Sequence, residues 1–172
     1  MKARPASHAF RGPTDRNRVM FGPPGRLYTY RLHGHTCANI VVSPPRQANA
    51  VLVRAGHVVA GIDTARERRG GISRDERLAR GPGNLCQALG ITMADAGAEL
   101  LAADGSVRLG RGVAVTSISS GPRVGVSRAA DLPWRFWITG DRTVSAYRRS
   151  PRAIQPEGIS FPGMTASRAG GV

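Results

Sequence analysis

The run Leu27-Tyr-Thr-Tyr-Arg-Leu32, the break at His33-Gly34 and the run Cys37-Ala-Asn-Ile-Val-Val42 decide how this chain folds. Both runs are rich in aromatic, β-branched and aliphatic residues, and the glycine between them lets the chain reverse, so they read as two strands of a hairpin. Working outward, Ala50-Val-Leu-Val-Arg-Ala55 reads as a third strand, set off from the second by Pro44-Pro45. The segment up to Gly25 carries Pro13, Pro23 and Pro24 and reads as extended loop without room for a long helix. Residues 62–69 read as a solvated helix bearing Arg66, Glu67, Arg68 and Arg69, stopped by Gly70-Gly71. A second helix is expected to begin at Asn84, with Leu85, Cys86, Ala88 and Leu89 on its buried side and an amino end able to hold a phosphate. Val107-Arg-Leu109, Arg123-Val-Gly-Val126, Trp134-Arg-Phe-Trp-Ile138 and Thr143-Val-Ser-Ala-Tyr147 read as further strands. There is no internal repeat.

The chain has 172 residues, the size of one ordinary domain, and 41% hydrophobic residues give it material for a core. Lys+Arg total 25 against 11 Asp+Glu, a formal charge of +14, which predicts a polyanionic partner. Only Lys2 is lysine, so the charge is almost all guanidinium, whose forks suit phosphate, although GC-rich coding also enriches arginine. Cys37 and Cys86 sit in no C-x-x-C frame, which argues against a disulfide scaffold or zinc site and for a reducing cytoplasm. No apolar run approaches the roughly 18 residues of a membrane span, and the first residues lack a signal-peptide core, so no membrane association is expected. No G-x-S-x-G, H-E-x-x-H or P-loop pattern occurs. His33 and His35 would share one side of a strand, but nothing nearby completes a metal set, so they read as loop or nucleic-acid-contact histidines and no metal is expected.

Nine strings occur in order: Ala6-Ser-His-Ala-Phe-Arg-Gly12, Arg16-Asn17, Met20-Phe-Gly-Pro-Pro-Gly25, Leu27-Tyr-Thr-Tyr30, Cys37-Ala-Asn39, Val51-Leu-Val-Arg-Ala55, Arg80-Gly-Pro-Gly-Asn-Leu-Cys-Gln-Ala-Leu-Gly90, Arg123-Val-Gly-Val126 and Pro133-Trp-Arg-Phe-Trp137. Together they resemble the alkyladenine (3-methyladenine) DNA glycosylase family in its bacterial, actinobacterial-like form. The resemblance implies an α+β fold: a single compact β-rich domain over residues 1–149, with a curved, mainly antiparallel sheet, a protruding hairpin and a few helices; the Pro, Gly, Ser and Arg composition of 150–172 describes a flexible tail. It implies a monomeric, cytoplasmic base excision repair enzyme that extrudes alkylated or deaminated purines from duplex DNA and hydrolyses the bond at C1′ by direct water attack, without a cofactor.

By the same resemblance Tyr30 packs on the extruded base and His8 lines its pocket. Extrusion is required because a stacked base hides its glycosidic bond, and an electron-rich ring favours a cationic alkylpurine by roughly 0.5–2 kcal/mol. Asn39 crowds the amino group of normal guanine, Arg54 holds the reacting water and general base, and His33 is the wedge at the hairpin tip. Arg16, Asn17, Arg80, Gly83 and Asn84 are the implied DNA contacts. Taken alone, Tyr30 would be an ordinary buried strand aromatic and Asn39 an ordinary strand-end asparagine.

One part of the pattern is missing. The family activates water with a glutamate in an E-x-Y motif ahead of the Ala-Ser-His string, whereas here seven residues precede His8 and the first carboxylate is Asp15. Either Met1 is an internal or misassigned start, the favoured expectation because deleting a core strand exposes its neighbours' edges, or the chain is a truncated relic. Loss of a general base typically removes roughly 10²–10⁴ in rate, so binding and base extrusion should stay partly intact while excision is crippled. The segment from Gly34 to Cys37 is also shorter than the family pattern, and a one-residue slip would invert the strand's faces.

Overall fold

The computed structural model describes residues 9, 10 and 12–154. The expected hairpin is there: β1 (Leu27–Leu32) pairs antiparallel with β2 (His35–Val41), from Leu27 opposite Ile40 to Leu32 opposite His35. His33 at φ 47° and Gly34 at φ 81° are both left-handed, the combination a two-residue type I′ turn requires. That turn makes Tyr28 face Asn39 and Tyr30 face Cys37, so the short Gly34–Cys37 connection leaves the pairing unbroken.

β3 (Ala50–Leu52) completes the sheet on the other side of β2, with Leu52 opposite Asn39. It is shorter than the expected 50–55. After Val53 donates to the Ala38 carbonyl the chain turns away, and Ala55 pairs instead with Arg80. One side of this sheet packs Leu27, Ala38, Ile40 and Val53 with Leu78, Leu85, Cys86 and Ala88. The other packs Tyr28, Tyr30, Val41 and Ala50 with Met20, Ala9 and Ala48.

The helices are α1 (Ile62–Arg68) and α2 (Pro82–Leu89). α2 begins two residues before the expected Asn84 because Pro82, lacking an N–H, suits the first helical position, and Gly81 at φ 102° supplies the entry. Asn84 therefore lies inside the helix, its Nδ2 donating to the Arg80 carbonyl at 2.7 Å. α2 lies close on the hairpin: a Cβ at Gly83 would fall 2.7 Å from the Cβ of His35, so only glycine fits there.

A second sheet pairs β4 (Ile118–Gly121) with β5 (Arg135–Ile138). β5 was expected and β4 was not, since Ile-Ser-Ser-Gly lacks alternating apolar residues. Three expected strands are absent. Val107-Arg-Leu109 makes a single bond to Leu100, Arg123-Val-Gly-Val126 is broken by the left-handed Gly125, and the Thr143 run begins in a turn in which Asp141 binds the Thr143 backbone and hydroxyl. The fold is thus α+β and antiparallel, divided into two sheets. No described helix is long and apolar enough to cross a membrane. The expected tail lies outside the described residues from position 155 onward.

Candidate functional site

Tyr30 stands where β1 passes from core to solvent: Tyr28 is buried, Tyr30 half-buried, and Arg31 and Leu32 are exposed. The two phenol rings tilt against each other at 5.9 Å between centroids. Burial, and then the neighbouring Cys37 thiol, push the Tyr30 phenol well above its ordinary range, with Arg54 opposing. The ring is therefore a neutral, partly covered apolar surface.

Asn39 is buried opposite Tyr28, and its Nδ2 donates to the Tyr28 carbonyl at 3.1 Å. That bond fixes the amide plane beside the tyrosine pair. Arg54 is half-buried just beyond β3, and burial followed by the charge of Arg135 lowers its affinity for a proton, while Tyr30 and Cys37 oppose that shift. Tyr30 and Asn39 are thus carried by neighbouring strands of one sheet, and Arg54 follows two residues after β3 ends.

His33 occupies the exposed tip of the hairpin, at the left-handed φ where a non-glycine residue is uncommon. A hollow of about 230 Å³ separates that tip from the amino end of α2, lined by Leu32, His33, His35, Cys37, Pro82 and Asn84 among others. Cys37 joins this hollow to the Tyr30 cluster. A larger hollow of about 520 Å³ along Leu100–Ala103 and Arg108–Gly110 contains none of the predicted site residues.

The remaining expected positions are dispersed. Arg16 is exposed, with its charge felt by Tyr28. Asn17 is 4% exposed, and its amide holds a loop, accepting from the Thr14 N–H at 2.6 Å and donating to the Gly12 carbonyl at 3.0 Å. Arg80 donates to the Arg142 carbonyl, and Gly83 meets His35. His8 lies outside the described residues. Among the described residues no cluster of three or more His, Cys, Asp or Glu side chains could hold a metal.

Two residues of the cluster escaped sequence reading. Cys37 could have been found from the hairpin turn, which sets it opposite Tyr30. Arg135 is 9% exposed, its guanidinium 4.7 Å from the centroid of the Trp137 ring and donating to the Ser145 carbonyl at 2.6 Å. The signal was a charge alternating with tryptophan in Trp134-Arg-Phe-Trp137.

The family model described as methylpurine-DNA glycosylase matches residues 1–142, a span that contains both sheets and every residue of this cluster. The chain belongs to the methylpurine-DNA glycosylase family. Relatives of this family from Mycobacterium sp. (strain KMS), Mycobacterium leprae (strain Br4923) and Mycolicibacterium fortuitum each bear the name "Putative 3-methyladenine DNA glycosylase". They are 56%, 58% and 59% identical to this chain, covering 89%, 88% and 88% of it and 75%, 71% and 78% of their own lengths.

Proposed function

We propose that this protein is a DNA repair N-glycosylase that excises alkylated or deaminated purines of the 3-methyladenine type from duplex DNA, acting as a monomer in the bacterial cytoplasm. The observation that supports the reading is that Tyr30 and Asn39 lie on paired strands of one sheet, with Arg54 two residues past its third strand and an exposed hairpin tip at its end. The extruded base stacks on the Tyr30 ring, whose neutral face favours a cationic purine. Asn39, anchored on the Tyr28 carbonyl, cannot withdraw from the exocyclic amino group of guanine and so disfavours it. Arg54 orients the water that attacks C1′. His33 fills the gap left in the duplex, and His8 completes the pocket wall. Arg16 and Arg80 supply phosphate contacts, so affinity falls steeply with salt.

A second reading is lesion recognition without excision. A duplex containing one hypoxanthine separates the two. Alkali-labile strand breaks at the lesion support the glycosylase, and retarded migration with the base intact supports the recogniser. Equal, salt-sensitive binding to damaged and undamaged duplexes contradicts both.

A further inference from the structure

We propose that Arg46, in the loop between β2 and β3, is a DNA-backbone contact that extends the binding surface along the Tyr30 side of the first sheet. The inference deepens the reading above, on which it rests, by naming a residue that grips the duplex. The backbone at Arg46 is the first observation. The Gln47 N–H donates to the Pro44 carbonyl at 3.2 Å, Pro45 takes the second position of the turn, and Arg46 follows at φ 74°. That is the pattern of a type II turn, whose third position requires positive φ and ordinarily takes glycine. A β-carbon there is strained. The loop is held against that strain by the Arg46 N–H, which donates to the Phe21 carbonyl at 2.9 Å, and by the Ser43 hydroxyl, which accepts from the Asn49 N–H at 2.8 Å. A long cationic side chain thus occupies a position at which folding alone favours glycine.

The second observation is where the loop sits. Ala48 is buried with Met20, Tyr28 and Val41, and Phe21 and Tyr30 pack against the same cluster, so this loop and the turn Arg18–Phe21 lie on one side of the sheet. Arg16, Arg18 and Arg46 are exposed there, and among the described residues none of their guanidiniums has a hydrogen-bond or ion-pair partner. No carboxylate occurs in the sequence between Asp15 and Asp63. The arginines on the helical side are engaged internally. Arg66 bonds Asp63 at 2.6 Å and Asp75 at 2.8 Å, Arg68 donates to the Ala88 carbonyl at 3.3 Å, and Arg69 donates to the Leu78 carbonyl at 2.9 Å. The side that bears Tyr30 is therefore the one that presents uncompensated positive charge.

Guanidiniums grouped on one side without carboxylates suit a polyanion, whose phosphate oxygens match the guanidinium fork and whose condensed counterions are released on binding. The phosphodiester backbone of duplex DNA is the polyanion that the reading above brings to this surface. Arg46 is held out by a turn that is fixed before the DNA arrives, so its contact does not require the loop to be ordered on binding.

Binding of the full chain to a fluorescent undamaged duplex, and to its twin carrying one hypoxanthine, is measured by anisotropy across salt concentrations from about 50 to 200 mM. Arg46→Gly is expected to weaken both roughly threefold to tenfold and to lower the slope of log affinity against log salt by about 0.9, the mark of one lost phosphate contact. Its thermal unfolding midpoint should be no lower than that of the wild type, because glycine fits the turn. Arg46→Lys, which keeps the charge, should retain the slope. An unchanged slope in Arg46→Gly, or a lowered midpoint accompanied by an equal loss of binding in Arg46→Lys, overturns the proposal. Should Arg46→Gly fail to fold by circular dichroism, Arg46→Asn, which also tolerates positive φ, decides by the same slope. Wild-type protein without measurable affinity for either duplex overturns the reading above and this proposal with it. A hypoxanthine preference that persists while Arg46→Gly binds and responds to salt as the wild type does overturns this proposal alone.

Discussion

The two sheets are built on different terms. The β1–β2–β3 sheet is covered on both sides by apolar side chains, with fully buried Leu78 and Cys86 on one and Met20 and Val41 on the other. The β4–β5 sheet pairs Ile118 with Ile138 and Ser120 with Phe136 on a side left open to solvent, where Phe136 is 67% exposed. It is tied internally by the Arg135–Trp137 stack and by Thr139, which bonds the hydroxyls of Ser117 and Ser119, and Arg135 donates outward to the Ser145 carbonyl. The denser packing is therefore in the sheet that carries Tyr30 and Asn39.

If that contrast is correct, the largest loss of stability follows truncation in the first region. Leu78→Ala should destabilise by about 2–5 kcal/mol in urea unfolding, because a completely buried side chain leaves a cavity. Gly83→Ala comes next, at about 1–3 kcal/mol, since the added methyl runs into the stem of His35 and pushes α2 from the hairpin.

A pH series sharpens the same point. Burial pushes the Cys86 thiol up to about 11 from an ordinary 9.0. The folded thiol holds its proton more tightly than the unfolded one, so its contribution is full below pH 9 and is lost as the pH climbs toward 11. Stability should fall by about 1–2 kcal/mol across that window, and Cys86→Ala should flatten the decline. The smallest effect belongs to the open side of the second sheet, where Phe136→Thr should change stability by no more than about 0.5 kcal/mol. A loss as large as that of Leu78→Ala would erase the distinction between the sheets.

What could be read in advance follows the same division. The hairpin was legible because local features specify it: two β-rich runs and a turn pair that tolerates positive φ. The roles expected of Tyr30, Asn39 and Arg54 come only from family resemblance, since each residue alone has an ordinary structural role. β4 was invisible because Ser119 and Ser120 carry no apolar alternation, and the Thr143 run misled because Asp141 binds its start into a turn. Helix α2 was displaced by two residues in the reading because Asn84 is a good cap in general, yet Pro82 suits the first turn better. Asn17 was expected as a DNA contact, and the structure shows its amide engaged inside its own loop, a tertiary fact with no local signature.

The central claim is that a damaged purine leaves the duplex and rests on Tyr30. Its most direct test is the affinity ratio between an ethenoadenine duplex and its undamaged twin, for wild-type protein and for Tyr30→Ala. Stacking worth roughly 1–3 kcal/mol per base predicts that Tyr30→Ala loses about tenfold or more of that ratio while its binding to undamaged DNA, and the salt dependence of that binding, stay as they were. An unchanged ratio in a folded Tyr30→Ala protein would contradict the account.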